Sequence, residues 1–250
     1  MMKIGFIHST RLVLPWIEEA VSPFLSKLSI LHALDESLLV ELAKGEGVTE
    51  GVERRIVWLA ASLIEAGAER LVLSCSSLSP AVDIIAPRLC VPLIKIDAAM
   101  IRAAIIASLS ENCPFVILAT NPSTRIPIQL IVEQETAKLS GSQIRIEEAL
   151  IRSAAPANYY SGKGHATFVP DWSYRLLDGA FEALNRGDTS SHDAEVVSAC
   201  EKCAEQGTRI YFAQISMARI LPALSTKARA AVNTSLDFIE ETLGLSENNS

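Results

Sequence analysis

Apolar runs of strand length alternate along the chain with stretches whose apolar residues recur at helical spacing. The runs are KIGFIH (3–8), LSILHAL (28–34), RLVLSC (70–75), PLIKI (92–96), PFVILAT (114–120), QIRIEEA (143–149) and RIYFAQ (209–214). Continuous apolar strands separated by helices predict an α/β protein whose parallel sheet is covered on both faces. The clearest helix, GVERRIVWLAASLIEAGAE (51–69), sets Val52, Ile56, Leu59, Leu63 and Ile64 along one face and stops at Gly67.

The pattern repeats. Residues 56–78 (IVWLAASLIEAGAERLVLSCSSL) and 196–217 (VVSACEKCAEQGTRIYFAQISM) are each a helix, a glycine, an arginine, an aliphatic strand and a polar strand end. Gly67 falls opposite Gly207 and Arg70 opposite Arg209, which sets Cys75 opposite Gln214. KIGFIHS (3–9) likewise matches PFVILAT (114–120), and the Ser-Thr-Arg triplet at 9–11 recurs at 123–125. Two pseudo-symmetric parallel-sheet halves are expected, 1–110 with a returning 226–250, and 111–225. A terminal helix is expected over 226–243. The second half carries extra length, assigned to a long loop at 151–174 rich in Gly, Pro, Ser and aromatics, with 156–171 as a candidate lid.

Composition narrows the function. The chain has 250 residues, 49% of them apolar, and a formal net charge of −7 without a Lys/Arg cluster. A nucleic-acid partner would therefore meet repulsion. No run is long enough for a membrane helix and Arg11 interrupts any leader-like core, so a cytoplasmic location is expected. Five scattered cysteines are read as reduced thiols.

Cys75 is the foremost chemical candidate. It stands at the carboxyl end of a parallel strand, where open α/β sheets place ligands. Ser76, Ser77 and Ser79 precede or open the next helix, whose free N–H groups would lower a thiol pKa and attract a carboxylate. The competing reading is a buried packing cysteine. Cys200 and Cys203 form a CxxC, yet the repeat aligns them with Ala60 and Leu63 on the inward face of a helix; no second pair completes a metal site, and none is expected. His8 and His32 end strands on the Cys75 rim, His165 is on the lid, and His192 opens a helix beside Asp193. His8, His32 and His165 are candidate second proton carriers, against a structural role for each. Ser9, Thr10, Thr120, Ser123 and Thr124 follow the two matching strands, where they can hold carboxylate oxygens or cap helices. No GxGxxG, Walker, GxSxG or HExxH motif is present.

With the two halves, LSCSS (73–77), ATNPST (119–124) and FAQISMA (212–218) in place, the chain resembles the aspartate/glutamate/hydantoin racemase superfamily over nearly its whole length. The resemblance implies two pseudo-symmetric α/β domains with an active site in the cleft between them and no cofactor. It also implies a pair of cysteines, one per domain, that work on opposite faces of a substrate α-carbon. Cys75 matches the first cysteine, with Ser76 and Ser77 where a family member often has Asn and Thr; Thr120 and Ser123 match the family's threonine-rich substrate loop. Gln214, followed by Ile215 and Ser216, occupies the second cysteine motif, and a neutral amide has no proton affinity suited to base work. The implied function is thiol-mediated proton transfer at the carbon next to a carboxylate or carbonyl of a small amino acid or hydantoin-like substrate, by a homodimer. The alternatives are a single-cysteine decarboxylase of malonate-type acids, a cysteine hydrolase, and a carboxylate-binding protein without turnover.

Overall fold

The computed structural model describes residues 1–45, 47–140 and 170–245. Its contacts divide the chain into two units. Unit 1 takes Met1–Ala99, Gln214–Ala218 and Thr234–Ser250; unit 2 takes Met100–Ala213 and Arg219–Asn233.

Unit 1 is built from β1 (Met2–His8), α1 (Leu14–Val21), β2 (Leu28–Leu34), α2 (Ser37–Leu42), α3 (Glu50–Glu65), β3 (Arg70–Leu73), α4 (Ser79–Ile85) and β4 (Leu93–Lys95). The strands form a parallel sheet in the order β2-β1-β3-β4. The pleat sends alternate side chains to opposite faces. Ile7, Leu71, Leu73 and Leu93 pack with Val52, Ile56, Ala60 and Leu63 of α3 and with α4. Ile4, Phe6 and Val72 pack on the other face with Ile17 and Val21 of α1 and with Ile215, Ile239 and Leu243. Gly5 lies under α3, where a Cβ would stand 2.7 Å from Leu71 Cδ2 and 3.1 Å from Leu63 Cβ. Its missing side chain lets helix and sheet close.

Unit 2 repeats this topology with α5 (Ala98–Glu111), β5 (Phe115–Ala119), α6 (Arg125–Ser140), β6 (Trp172–Leu176), α7 (Asp178–Asn185), α8 (Thr189–Glu205), β7 (Arg209–Phe212), α9 (Thr226–Ala231) and β8 (Val232–Asn233). Its parallel order is β6-β5-β7-β8. The expected equivalence of 56–78 and 196–217 extends to the backbone. After α3, Ala68 N–H donates to Leu63 O and Gly67 N–H to Ile64 O; after α8, Thr208 N–H donates to Cys203 O and Gly207 N–H to Ala204 O. Both are Schellman stops, and each needs a glycine at positive φ, +93° at Gly67 and +74° at Gly207.

Three features differ from the sequence expectation. The loop read through to Tyr174 ends sooner, because WSYRL is the edge strand β6, whose half-exposed alternating face lacks the apolar run used to recognise buried strands. The helix expected over 226–243 is instead α9, β8, a 3-10 turn at Ser235–Phe238 and α10 (Ile239–Leu243). Thr234 breaks it: with Asp237 it forms a reciprocal capping box that starts a new turn. The strand expected over 143–149 and the candidate lid, except Pro170 and Asp171, lie outside the described residues.

Candidate active site

The chain leaves the unit 1 sheet after Leu73 through Ser74 and Cys75. Cys75 is the extended N-cap residue (φ −109°, ψ 110°) of a 3-10 turn, Ser76–Leu78, that leads into α4. A cap residue faces the unpaired N–H groups of the turn it opens. Those of Ser77 and Leu78 favour the charged sulfur, although neither closes a full capping bond to it, and the Ser9 hydroxyl is its side-chain hydrogen-bond partner. Burial is the largest influence and pushes the thiol above the ordinary cysteine range; the negative charge of Asp97 pushes the same way. The thiol of the free protein therefore carries its proton at neutral pH.

Asp97 lies beyond the end of β4 and is fully buried. Its Oδ1 accepts a hydrogen bond from Ser235 Oγ, and the Ser76 hydroxyl also serves the carboxyl. Burial lifts its pKa to about 6 against these bonds and the nearby Lys95 ammonium. Lys95 is itself held by Asp83 at 2.7 Å. Asp97 was not singled out in the sequence. The available signal was a carboxylate between apolar residues on both sides, in LIKIDAAMI, just past a strand end.

Ser9, Thr10, Ser76 and Ser77 are thus brought to the Cys75 rim with differing duties. Ser9 serves the thiol, Ser76 serves Asp97, and Thr10 accepts from Leu12 N–H as a cap. His8 and His32 are brought to one another instead. Ser74 Oγ donates to Ile7 O at 3.1 Å and so accepts from His8 Nδ1 at 2.8 Å; His8 Nε2 then accepts from His32 Nδ1 at 2.9 Å. Burial, with the neighbouring His32, drops the His8 pKa to about 4. His8 shares the sheet face of Phe6, on which it stacks, whereas Cys75 packs with the opposite face. His8 ends β1 beside β3, on the rim expected for it, whereas His32 lies within β2; the pleat turns both to the face opposite Cys75, and His8 bonds to Ser74, the neighbour of the thiol. His165 lies outside the described residues.

In unit 2, Thr120 is buried after β5. Ser123 donates its N–H and hydroxyl to Asn121 Oδ1 at 3.0 and 2.8 Å, and Thr124 Oγ1 donates to Asn121 O at 2.8 Å. Thr124 Oγ1 also meets the Tyr174 hydroxyl at 3.0 Å, a β6 contact that sequence reading had no means of placing. Cys200 and Cys203 are buried in the inward face of α8, where the repeat put them, and burial pushes Cys200 up to about 12. Gln214 follows β7 by the interval that separates Cys75 from β3, and Ile215, like Ser76, opens a 3-10 turn. The Ile215 side chain is committed to the unit 1 core. No cluster of three or more metal-ligating side chains occurs among the described residues.

No protein-family model matches the chain, and neither does any curated protein. Solved structures do. An aspartate racemase from Picrophilus torridus aligns over 98% of this chain and 94% of its own, with a TM-score of 0.62 at 10% identity. The fold is that of the racemases. Glutamate racemase isoform RacE1 from Bacillus anthracis matches this racemase fold over 99% of the chain and 83% of its own, TM-score 0.59, 16% identical. Allantoin racemase from Klebsiella pneumoniae covers all of the chain with 91% of its own length, TM-score 0.58, 13% identical. At such identities the likeness carries architecture, and within the racemase fold the chemistry rests on this chain's own residues. No helix among the described residues is long and apolar enough to cross a membrane.

Proposed function

We propose that the protein is a racemase-like isomerase, independent of any cofactor, in which Cys75 moves a proton at the carbon next to a carboxylate or carbonyl of a small amino-acid or hydantoin-like substrate. The observation that carries this reading is the surroundings of the sulfur: the Ser9 hydroxyl and two turn N–H groups favour a thiolate, while burial and Asp97 hold the thiol. A sulfur poised between these influences can act in either direction. As thiolate it takes the α-proton and becomes S–H, and the electron pair left on carbon spreads into the carbonyl as an enediolate. The hydroxyls of Thr10, Ser77 and Thr120, with the backbone of Gln214, Ile215 and Ser216, are the groups assigned to hold the substrate oxygens; Ser9, Ser76, Ser123 and Thr124 already donate to the thiol, to Asp97 and to Asn121 and are assigned to shaping the site.

Return of the proton from the same thiol restores the original configuration. Inversion requires a donor on the other face, a task the Gln214 amide cannot perform, so water is assigned to it. Exchange should therefore outrun inversion. We assign the working form to a cytoplasmic homodimer, for which the exposed Val40 and Trp58 offer apolar surface.

The test is α-deuterium uptake in D2O with single enantiomers of aspartate, glutamate, allantoin and substituted hydantoins. Uptake that exceeds loss of optical rotation, and that vanishes in Cys75→Ser, is the expected result. Absence of uptake with every one of these compounds overturns the reading.

A further inference from the structure

Asp97 and Cys75 are acids just past the ends of neighbouring strands, the first fully buried and the second partly buried. Asp97 is fully buried beyond β4, the strand paired with β3. Ser76, the residue after Cys75, donates to its carboxyl, and Ser235 donates from the segment that returns to unit 1. Its Oδ2 is buried with no hydrogen-bond partner among the described residues. A buried carboxylate with one oxygen unfilled is poorly stabilised as an anion. The charged groups acting on the pair are few: Lys95 of β4 favours the Asp97 anion, and that ammonium is already paired with Asp83 of α4. A second negative charge on Cys75 would stand in the field of the first with little to offset it.

We propose that Asp97 is a positioning residue that adds to burial in holding the proton on Cys75: an ionised carboxylate disfavours the thiolate beyond what burial does, and a protonated carboxyl removes that added opposition. This rests on the reading of Cys75 as the proton-transferring thiol. The two groups titrate as one coupled system, in which the first proton lost belongs mainly to the carboxyl and the second mainly to the thiol. A substrate that brings a proton or a positive charge near Asp97 would thereby generate the thiolate at the moment it is needed.

The experiment follows iodoacetamide alkylation of Cys75 from pH 5.5 to 10.5 by peptide mass spectrometry, in the full chain carrying Cys90→Ser and Cys113→Ser. In this background Asp97→Asn is expected to lower the midpoint of the pH–rate profile by about one unit, which makes alkylation roughly tenfold faster below both midpoints. Ser235→Ala removes a donor to the carboxylate but leaves it ionised where the thiol titrates, so this variant should keep the parent midpoint and serves as the control for loss of a neighbouring contact without loss of the charge. A purely structural Asp97 would alter the melting temperature and leave the midpoint in place; an unchanged midpoint in folded Asp97→Asn overturns the proposal. Should that variant fail to fold, the Asp97→Ser profile decides by the same criterion. A Cys75 that resists alkylation at every pH in all these proteins overturns the proton-transfer reading and the coupling with it. One that reacts normally with an unshifted profile overturns the coupling alone.

Discussion

His32 Nδ1 donates to His8 Nε2 across 2.9 Å, and both rings stack on Phe6 on the sheet face opposite Cys75, with His8 buried and His32 exposed. Its consequence is in the acid limb of stability. His8 titrates near 6.5 when unfolded and about 4 when folded, so its contribution is present above pH 6.5 and is lost as pH falls through 4. Asp97 runs the other way: raised from 3.8 to about 6, its contribution is present below pH 3.8 and is lost as pH rises through 6. Each amounts to about 3 kcal/mol and the windows overlap, so the two oppose one another between pH 4 and 6. Urea unfolding at pH 4.5 and 7 should show His8→Asn gaining stability on acidification relative to the parent, and Asp97→Asn losing it. Equal pH slopes in all three proteins would contradict this assignment. His32 and Ser74 face His8, and Glu18 acts on His32; Asp35, depressed by Ser37 and Arg55, and Glu36, depressed by Arg11, contribute equally to each protein and cancel.

Ser9→Ala removes the side-chain donor to the Cys75 sulfur. The thiol should become harder to ionise, the reverse of the Asp97→Asn effect. One hydrogen bond of about 1 kcal/mol corresponds to roughly fivefold slower alkylation at pH 8. An unchanged rate would mean that this hydroxyl does not hold the thiolate.

Gln214→Cys restores a thiol at the position where the repeat aligns with Cys75. Deuterium exchange should stay near the parent level while inversion rises, on the order of a hundredfold if the new thiol acts as the missing acid. The measurement is the ratio of racemisation to exchange for one enantiomer. A ratio that does not move would show that residue 214 has no access to the reacting carbon.

Gly5→Ala places a methyl 2.7 Å from Leu71 Cδ2 and 3.1 Å from Leu63 Cβ in a filled core. Overpacking of this kind costs about 1–3 kcal/mol. The urea midpoint should fall with the m-value unchanged. A midpoint equal to that of the parent would show that α3 can lift from the sheet at no cost.

Much of the fold was legible because its signals are local. A parallel strand buried on both faces is an uninterrupted apolar run, and a helix that ends in a Schellman turn needs its glycine, so β3 and β7 with Gly67 and Gly207 could be aligned by eye. The edge strands β6 and β8 lacked that signal: one has a half-exposed face and the other is only Val232–Asn233. The break at Thr234 depended on a capping contact with Asp237 that a continuous helical reading passes over.

For the site, the sequence alone determined that Cys75 stands between a central strand and a helix and that Gln214 stands at the matching place, since strand ends and internal repeats are properties of order along the chain. Tertiary structure decided the rest. Whether His8 belongs with the thiol depended on the parity of the pleat and on a partner, His32, on another strand. The role of Asp97 depended on burial and on Ser235, which lies 138 residues away in sequence. Desolvation and the fields of distant groups set proton affinities, and these exist only once the chain has closed around them.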